Sequence, residues 1–523
     1  MYSFLGGLVI LVLGYLIYGV FVDKIFAPTD NPTPCVIHPD GVDFVPISSG
    51  RAFLIQLLNI AGLGPIFGAL SGAIWGPQVY LWIVFGTIFA GAVHDYLVGM
   101  LSLRNDGASV SEITGKYLGG FMLHIMRLFS VILLVMVGVV FMVGPAGLLA
   151  IMITQGVGAS VGTASGAAAA TAGGYTTAEW VKILTIVILV YYFLATLLPI
   201  DKLIGRFYPI FGFCLIFMAI GIAGVSVANH INGTKPMIEI WEGFYNMHPK
   251  ADTTPIWPLM FITVACGAIS GFHATQSPLM ARCLTSERKG RFVFYGAMVA
   301  EGAIALVWAS AGIAFYNTGE AGTFSTAGLL AVGGGNSTSV YQISVGLLSP
   351  INAVINFFGS SYAINLGAAL ALLGVVACPI TSGDTAFRSA RLTIADWFKI
   401  DQKSMTLRLL IAVPLLAVGY WISFLDYGII WRYFSWSNQT LAMIALWAGA
   451  VYLSNNVGPK ASLIAAVPAT FMSAVSVTYF CIAPECYLML ERNLAYGIGI
   501  AVAVLFALTF YVKEYRPNKE HEI

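Results

Sequence analysis

The chain has 523 residues, 58% hydrophobic and 9% charged, with a formal net charge of +1. Soluble domains carry about 25% charged residues, so this composition excludes a soluble globular protein and leaves no room for a large domain outside a membrane. The near-neutral balance gives no electrostatic ground for binding nucleic acid or a strongly acidic partner.

A helix needs about 20 apolar residues to cross a hydrocarbon core of about 30 Å. By that rule about thirteen spans follow in order: 4–22, 51–74, 78–103, 118–154, 179–200, 207–229, 255–281, 291–316, 345–379, 405–424, 430–453, 460–482 and 491–512. The first, from Phe4 to Val22, lacks a basic leader and an A-x-A-like cleavage site, so it reads as a retained membrane helix. Only Trp75, Gly76 and Pro77 separate the second span from the third, which predicts a tight hairpin. The fourth and ninth are too long for a plain crossing and must tilt, protrude or break. Two small-residue tracts, Gln155 to Thr177 and Tyr316 to Ser339, read as irregular caps over the outer face or as plain linkers.

Alternate connections collect the positive charge. Nineteen of the 25 lysines and arginines fall on one side, among them Lys24, Arg104, Lys116, Arg282 and Arg288. Lys182, Lys235, Lys250, Arg432 and Arg492 fall on the other, and Arg127 lies within a span. The positive-inside rule makes the rich side cytoplasmic, which predicts a multi-pass protein of the cytoplasmic membrane with its N-terminus outside and its C-terminus inside. The seven cysteines show no CxxC or zinc-type spacing, and no metal or cofactor is expected. Cys481 and Cys486 are near enough in sequence to leave a disulfide open.

Two spans are interrupted. The second contains Asn59, Gly62, Gly64 and Pro65, where proline removes a backbone donor and glycine tolerates unwinding. The seventh contains Gly267, Ser270, Gly271, Phe272, His273 and Pro278. The breaks start from opposite sides of the membrane. This topology, rather than any residue identity, divides the chain into two inverted repeats, 51–229 and 255–453. An N-terminal helix with its loop (1–50) and two accessory helices with a tail (460–523) flank them. Paired Gly/Pro-broken helices at matching positions point to a transporter binding site, whereas glycines that merely let helices pack are the plainer alternative. Half-helix N-termini offer free N–H groups to anions and the freed carbonyls suit cations. Together these fit a small carboxylate-bearing solute carried with a proton or a sodium ion. The residues of the breaks, Asn59, Gly62, Gly64, Pro65, Ser270, Gly271, Phe272 and His273, are the candidate substrate contacts.

Polar residues inside the spans supply the remaining candidates. Arg127, with His124 on the same face, is a candidate clamp for a substrate carboxylate, or else a paired structural residue. Glu301 lies ten residues into the eighth span, where a carboxyl can load and release a proton or pair with Arg127. His273 titrates in the physiological range. Thr381, Ser382, Asp384 and Thr385 follow Pro379 and form an oxygen cluster suited to sodium or a proton, or an ordinary helix cap. His94 and Asp95 line an inner gate or pair with Arg104. Ser437, Asn438 and Gln439 read as bridges between helices.

Several of these segments resemble the carbon starvation protein A (CstA) family. The matches are Gly62-Leu63-Gly64-Pro65, Phe89 to Tyr96, Asn105 to Ser109, Cys266 to His273, Thr381 to Thr385, and Ser435-Trp436-Ser437-Asn438-Gln439. The resemblance implies uptake of peptides or pyruvate-like carboxylates with protons, and an amino acid–polyamine–cation (LeuT-like) core of five plus five helices in an all-α membrane fold. Many relatives carry Gly-His-His-Phe before the first break; here the chain reads Gln56-Leu57-Leu58-Asn59-Ile60, so no role of those histidines transfers. The expected partners are a small solute or peptide and the lipid bilayer. No HExxH, Walker A loop or Gly-x-Ser-Gly supports an enzyme. A gated channel or a nutrient-sensing receptor is the alternative. A channel would need a repeated pore filter, and a receptor lacks a soluble output domain here.

Overall fold

The computed structural model describes residues 1–41, 44–155, 171–197, 200–264, 266–317, 324–348, 352–357, 360–402, 404–486 and 488–521. Its first helix, α1 (Tyr2–Phe26), carries no charged side chain before Asp23 and Lys24. Next come α2 (Ser49–Ile60) and α3 (Gly64–Trp75), bent by 55° at the break between them. Ala61 leaves the helical region at φ −80°, ψ 57°. Pro65 lies in the first turn of α3, where its missing N–H leaves nothing unsatisfied. The proline therefore starts the second half-helix; the interruption is Ala61 to Leu63, upstream of where the sequence suggests.

The chain continues through α4 (Val79–Arg104) and α5 (Val110–Leu118), whose start is fixed by a Ser109/Glu112 capping box. The 36-residue α6 (Gly120–Gln155) follows, then α7 (Thr177–Leu197) and α8 (Ile200–Ile231). The expected seventh span is not a continuous helix. It consists of α9 (Leu259–Thr263), an unwound stretch, and α10 (Gly271–Ala281). Beyond it lie α11 (Glu287–Tyr316) and α12 (Ser337–Leu348). The expected ninth span is split as well: a strand pair, Asn352–Phe357 with Ser360–Asn365, separates α12 from the 33-residue α13 (Leu366–Phe398). The strands are antiparallel, with Asn352 opposite Asn365 and Phe357 opposite Ser360. A two-residue pair, Thr171–Ala172 with Tyr175–Thr176, precedes α7. The last helices are α14 (Met405–Ile422), α15 (Tyr427–Asn456), α16 (Pro459–Ile482) and α17 (Arg492–Asn518).

Among the described residues, nine helices are long and apolar enough to cross a membrane, or ten if the bent pair counts as one span. Of the expected thirteen, the seventh, the ninth and the polar eleventh (α15) fall outside that count. Residues 156–170 of the first small-residue tract and 318–323 of the second lie outside the described residues; in the rest of the second, Ala327–Ala331 form a short helix. Cys481 and Cys486 are both free thiols, so the disulfide left open by the sequence is not formed.

Helix ends assigned by charge to the same side meet each other. Arg104 pairs with Glu287, Arg288 with Asp30, Arg282 donates to Gly107 O and Lys116 to Asn105. At the opposite end Lys235 donates to Phe315 O, Arg492 to Asp252 O, and Glu239 accepts from Ser3. Long apolar side chains such as Val9, Ile17, Phe213 and Leu505 are exposed along the outer helices, while His94, Asp95, His273 and Glu301 are wholly buried. That inside-out distribution suits lipid, where a buried polar group must find its partner within the protein.

Candidate functional site

The two breaks touch. A Cβ on Gly64 would lie 2.1 Å from Cβ and 2.3 Å from Sγ of Cys266, so only glycine lets α3 approach the second break this closely. A Cβ on Gly62 would press into the Phe141 ring at 2.4 Å, and Phe141 in turn meets Phe272 edge-on, centroids 6.0 Å apart. Gly271 packs against the backbone of α15, where a Cβ would lie 2.3 Å from Asn438 O. Asn59, Gly62, Gly64, Pro65, Ser270, Gly271, Phe272 and His273 are all buried.

Unwinding frees backbone groups, and neighbouring side chains take most of them. At the first break Leu58 O accepts from Cys378 Sγ and Ser382 Oγ, and Ala61 O from Cys378 Sγ, all at 3.1 to 3.2 Å. At the second, Thr87 Oγ1 donates to Gly267 O at 3.1 Å, while Gln439 Nε2 reaches Val264 O at 3.4 Å and Ile269 O at 3.3 Å. Asn438 caps α10: its Oδ1 accepts from Phe272 N at 2.7 Å and from Ser270 Oγ at 3.2 Å. The amide at Phe272 is therefore not bare, as the sequence suggests for a half-helix N-terminus.

One turn into α10, four titratable side chains form a continuous buried chain. His94 Nδ1 lies 2.8 Å from Asp95 Oδ1, and Asp95 Oδ2 lies 2.8 Å from His273 Nδ1. The other face of that ring turns to Glu301, with Nε2 3.2 Å from Oε2. This last approach has ion-pair distance but not hydrogen-bond direction. Both Glu301 oxygens and His273 Nε2 are left without a hydrogen-bond partner, as is His94 Nε2. The chain links α4, α10 and α11, three helices brought together only by the fold.

Other sequence candidates land elsewhere. His94 and Asp95 are wholly buried, and Arg104 pairs with Glu287 rather than Asp95. Glu301 meets His273, not Arg127. Arg127 is half-buried near the start of α6, about 21 Å along the helix from the Phe141 contact with the first break, at 1.5 Å per residue. It is not brought to the breaks. Thr381, Asp384 and Thr385 share one face of α13. The two hydroxyls bond back to helix carbonyls, Thr381 to Cys378 O and Thr385 to Ser382 O, and Asp384 lies 3.5 Å from Arg388 one turn on. Because α13 runs on to Phe398, Asp384 is interior to a helix and caps nothing. Sequence reasoning missed Thr87 and gave Cys266 and Cys378 no role at the breaks; it placed Ser382 in the oxygen cluster rather than against Leu58 O. It gave Asn438 and Gln439 only a bridging role, although two adjacent amides in an apolar span were a usable signal.

The family model described as "Carbon starvation protein CstA" matches residues 1–148 and 145–331. A membrane protein of Haemophilus influenzae is 48% identical over 339 residues, covering 60% of this chain and 90% of that one. The peptide transporter CstA of Bacillus subtilis is 30% identical over 508 residues, 84% of this chain and 83% of that one. The pyruvate/proton symporter BtsT of Escherichia coli is 27% identical over 347 residues, 56% and 46% of the two chains. Among solved structures, MhsT in complex with L-phenylalanine superposes with a TM-score of 0.50 at 13% identity, over 88% of this chain and 99% of that one.

Proposed function

This chain belongs to the carbon starvation protein CstA family, and from that premise we propose that it imports a short peptide or a small pyruvate-like carboxylate together with a proton. That it is a secondary transporter in a membrane follows from the family and the fold. The substrate class comes from relatives named for peptides and for pyruvate with protons. The orientation, N-terminus outside and C-terminus cytoplasmic, rests on the charge distribution.

One observation carries the coupling assignment. Glu301 is fully buried, neither of its oxygens has a hydrogen-bond partner, and its nearest titratable neighbour is His273 at the second break. A buried carboxylate that no donor reaches in hydrogen-bond direction is costly even beside an imidazolium, and a proton removes that cost. Binding a proton at Glu301 therefore bears directly on α10, the half-helix that closes over the first break. Alternating access then follows as one group of helices rocks against the other about the two breaks, with the solute held between the half-helices. Sodium is the other ion compatible with freed carbonyls, and those at Leu58 and Ala61 lie within hydrogen-bond distance of the Cys378 thiol and the Ser382 hydroxyl.

Uptake of radiolabelled pyruvate and of radiolabelled dialanine into proteoliposomes, driven by an imposed proton gradient, tests the reading. Glu301→Gln is expected to abolish gradient-driven accumulation while leaving exchange of solute for solute. Accumulation that ignores the proton gradient in the unmutated protein, or survives Glu301→Gln with its proton dependence intact, overturns it.

A further inference from the structure

The chain of buried groups extends beyond the Glu301–His273 pair, and its hydrogen bonding assigns a different task to each member. Resting on the coupling role just given to Glu301, we infer that Asp95 and His94 are the fixed arm of the coupling site. Asp95 keeps a permanent charge that positions His273, and Glu301 alone takes up and returns a single proton in each cycle.

Asp95 has no free oxygen. Oδ1 faces the Nδ1 of His94 and Oδ2 the Nδ1 of His273, each at 2.8 Å. An ionised carboxylate only accepts, so both ring nitrogens must carry hydrogen and donate to it. Charge-assisted bonds of this kind are short and about twice as strong as neutral ones, and two of them hold Asp95 as an anion. His94 then keeps a bare Nε2 with no partner, the arrangement of a neutral ring. Glu301 is the opposite case, with two buried oxygens and no donor in hydrogen-bond direction. The other titratable groups turned toward the cluster are thiols: Cys266, in contact with His273 and Ser270, and Cys378 on α13, within electrostatic reach of Glu301.

The charge count follows. With Asp95 and Glu301 ionised and His273 an imidazolium, the cluster carries a net charge of minus one. One proton from water on Glu301 converts its carboxylate to a carboxylic acid, no other bond changes, and the loaded cluster is neutral. Neutral is the form an apolar interior tolerates best. On unloading, the same proton leaves to water on the other side, while the proton on His273 stays with Asp95. Asp95 is therefore a positioning residue that acts through His273, and the site moves one proton rather than two.

Infrared difference spectroscopy of the purified protein in lipid, between acid and alkaline pH, tests this without a solute. The expected result is one protonated-carboxyl C=O band from this site, lost completely in Glu301→Gln and kept, shifted in frequency, in Asp95→Asn. In ¹⁵N-histidine-labelled protein both His273 nitrogens are expected to carry hydrogen in the unmutated chain, with the Nε2 signal altered in Asp95→Asn. Survival of the band in Glu301→Gln, or its loss in Asp95→Asn alone, overturns the assignment. Where Asp95→Asn does not fold, Glu301→Gln together with the histidine spectra of the unmutated protein decides the question, because a neutral His273 in the acid form also refutes it. The outcome is separable from the transport reading: uptake without proton dependence sinks that reading and leaves the spectra to judge the cluster.

Discussion

His273 and Asp95 are 178 residues apart in the chain and 2.8 Å apart in the fold, joined through Nδ1 and Oδ2 with neither side chain exposed. The contact fastens the second break to α4, and the opposite edge of the same ring faces Glu301 on α11. Replacing His273 by Asn removes the one cationic group between two buried carboxylates. Breaking a buried pair in this way costs about 3–5 kcal/mol. The expected result is a lower melting temperature with the deficit largest at alkaline pH, since acid neutralises one carboxylate and relieves the repulsion. Thermal unfolding followed across pH checks it; a pH-independent loss would mean that packing rather than charge holds the ring.

Gly64 makes a sharper steric test. Gly64→Ala places a methyl 2.1 Å from Cys266 Cβ, a separation that real Cβ atoms do not adopt. Overpacking of this kind costs about 1–3 kcal/mol. With Cys266→Gly in the same chain the obstructing atoms are gone and the nearest remaining neighbour is the Cα of residue 266 at 3.5 Å, an ordinary contact. Part of the lost stability should return, with a coupling of about 1 kcal/mol or more in a double-mutant cycle. Additive effects would show that the breaks do not touch.

The breaks were legible because glycine and proline act locally: each permits or forbids a backbone shape within a turn or two. Their exact limits were less so, since Pro65 reads equally as a helix breaker and as a helix starter until the bend upstream is seen. Hydropathy located the spans and marked 345–379 as too long for one plain crossing, but it cannot show that the region is two helical pieces around a strand pair. Partner choice was the least legible. His94, Asp95, His273 and Glu301 each stood out as polar residues in apolar surroundings, yet nothing in the linear order says that Asp95 meets His273 and not Arg104. Arg104 has its own partners in Glu287, Tyr452 Oη and Ala27 O.

Outside the membrane-spanning segments, Glu239 ties the outer connection to the start of α1. Its carboxylate accepts from the amides of Tyr2 and Ser3, the Ser3 hydroxyl and the Met1 amino group. Burial pushes this carboxyl up, but those donors outweigh it and hold it below the usual glutamate range. A depressed carboxyl stabilises the fold above its unfolded value of about 4.3 and ceases to do so as pH falls through its lower folded value. Hydrogen exchange at residues 2–5 is therefore expected to stay slow from neutral pH down into the acid range and to accelerate only below that range. In Glu239→Gln it should be fast at neutral pH, with no acid transition. Equal protection in both proteins would dismiss the tie.

Arg127 gives the clearest division between sequence and structure. As an arginine within an apolar span it invites a role in gripping a substrate carboxylate, and insertion alone costs about 2.5–3.5 kcal/mol at a helix centre. In the fold it stands only seven residues into α6, half-buried, with His124 one turn before it against Trp397. A long side chain this near a helix end can reach the interface with its charged group, which removes most of that penalty. The breaks are about 21 Å further along the helix, where Phe141 meets Gly62, too far for a guanidinium to touch. Arg127→Gln is accordingly expected to leave the KM for pyruvate or dialanine uptake unchanged. A rise of about tenfold, worth about 1.4 kcal/mol, would instead place Arg127 on the solute's path in a second conformation, with α6 displaced along its axis relative to the breaks.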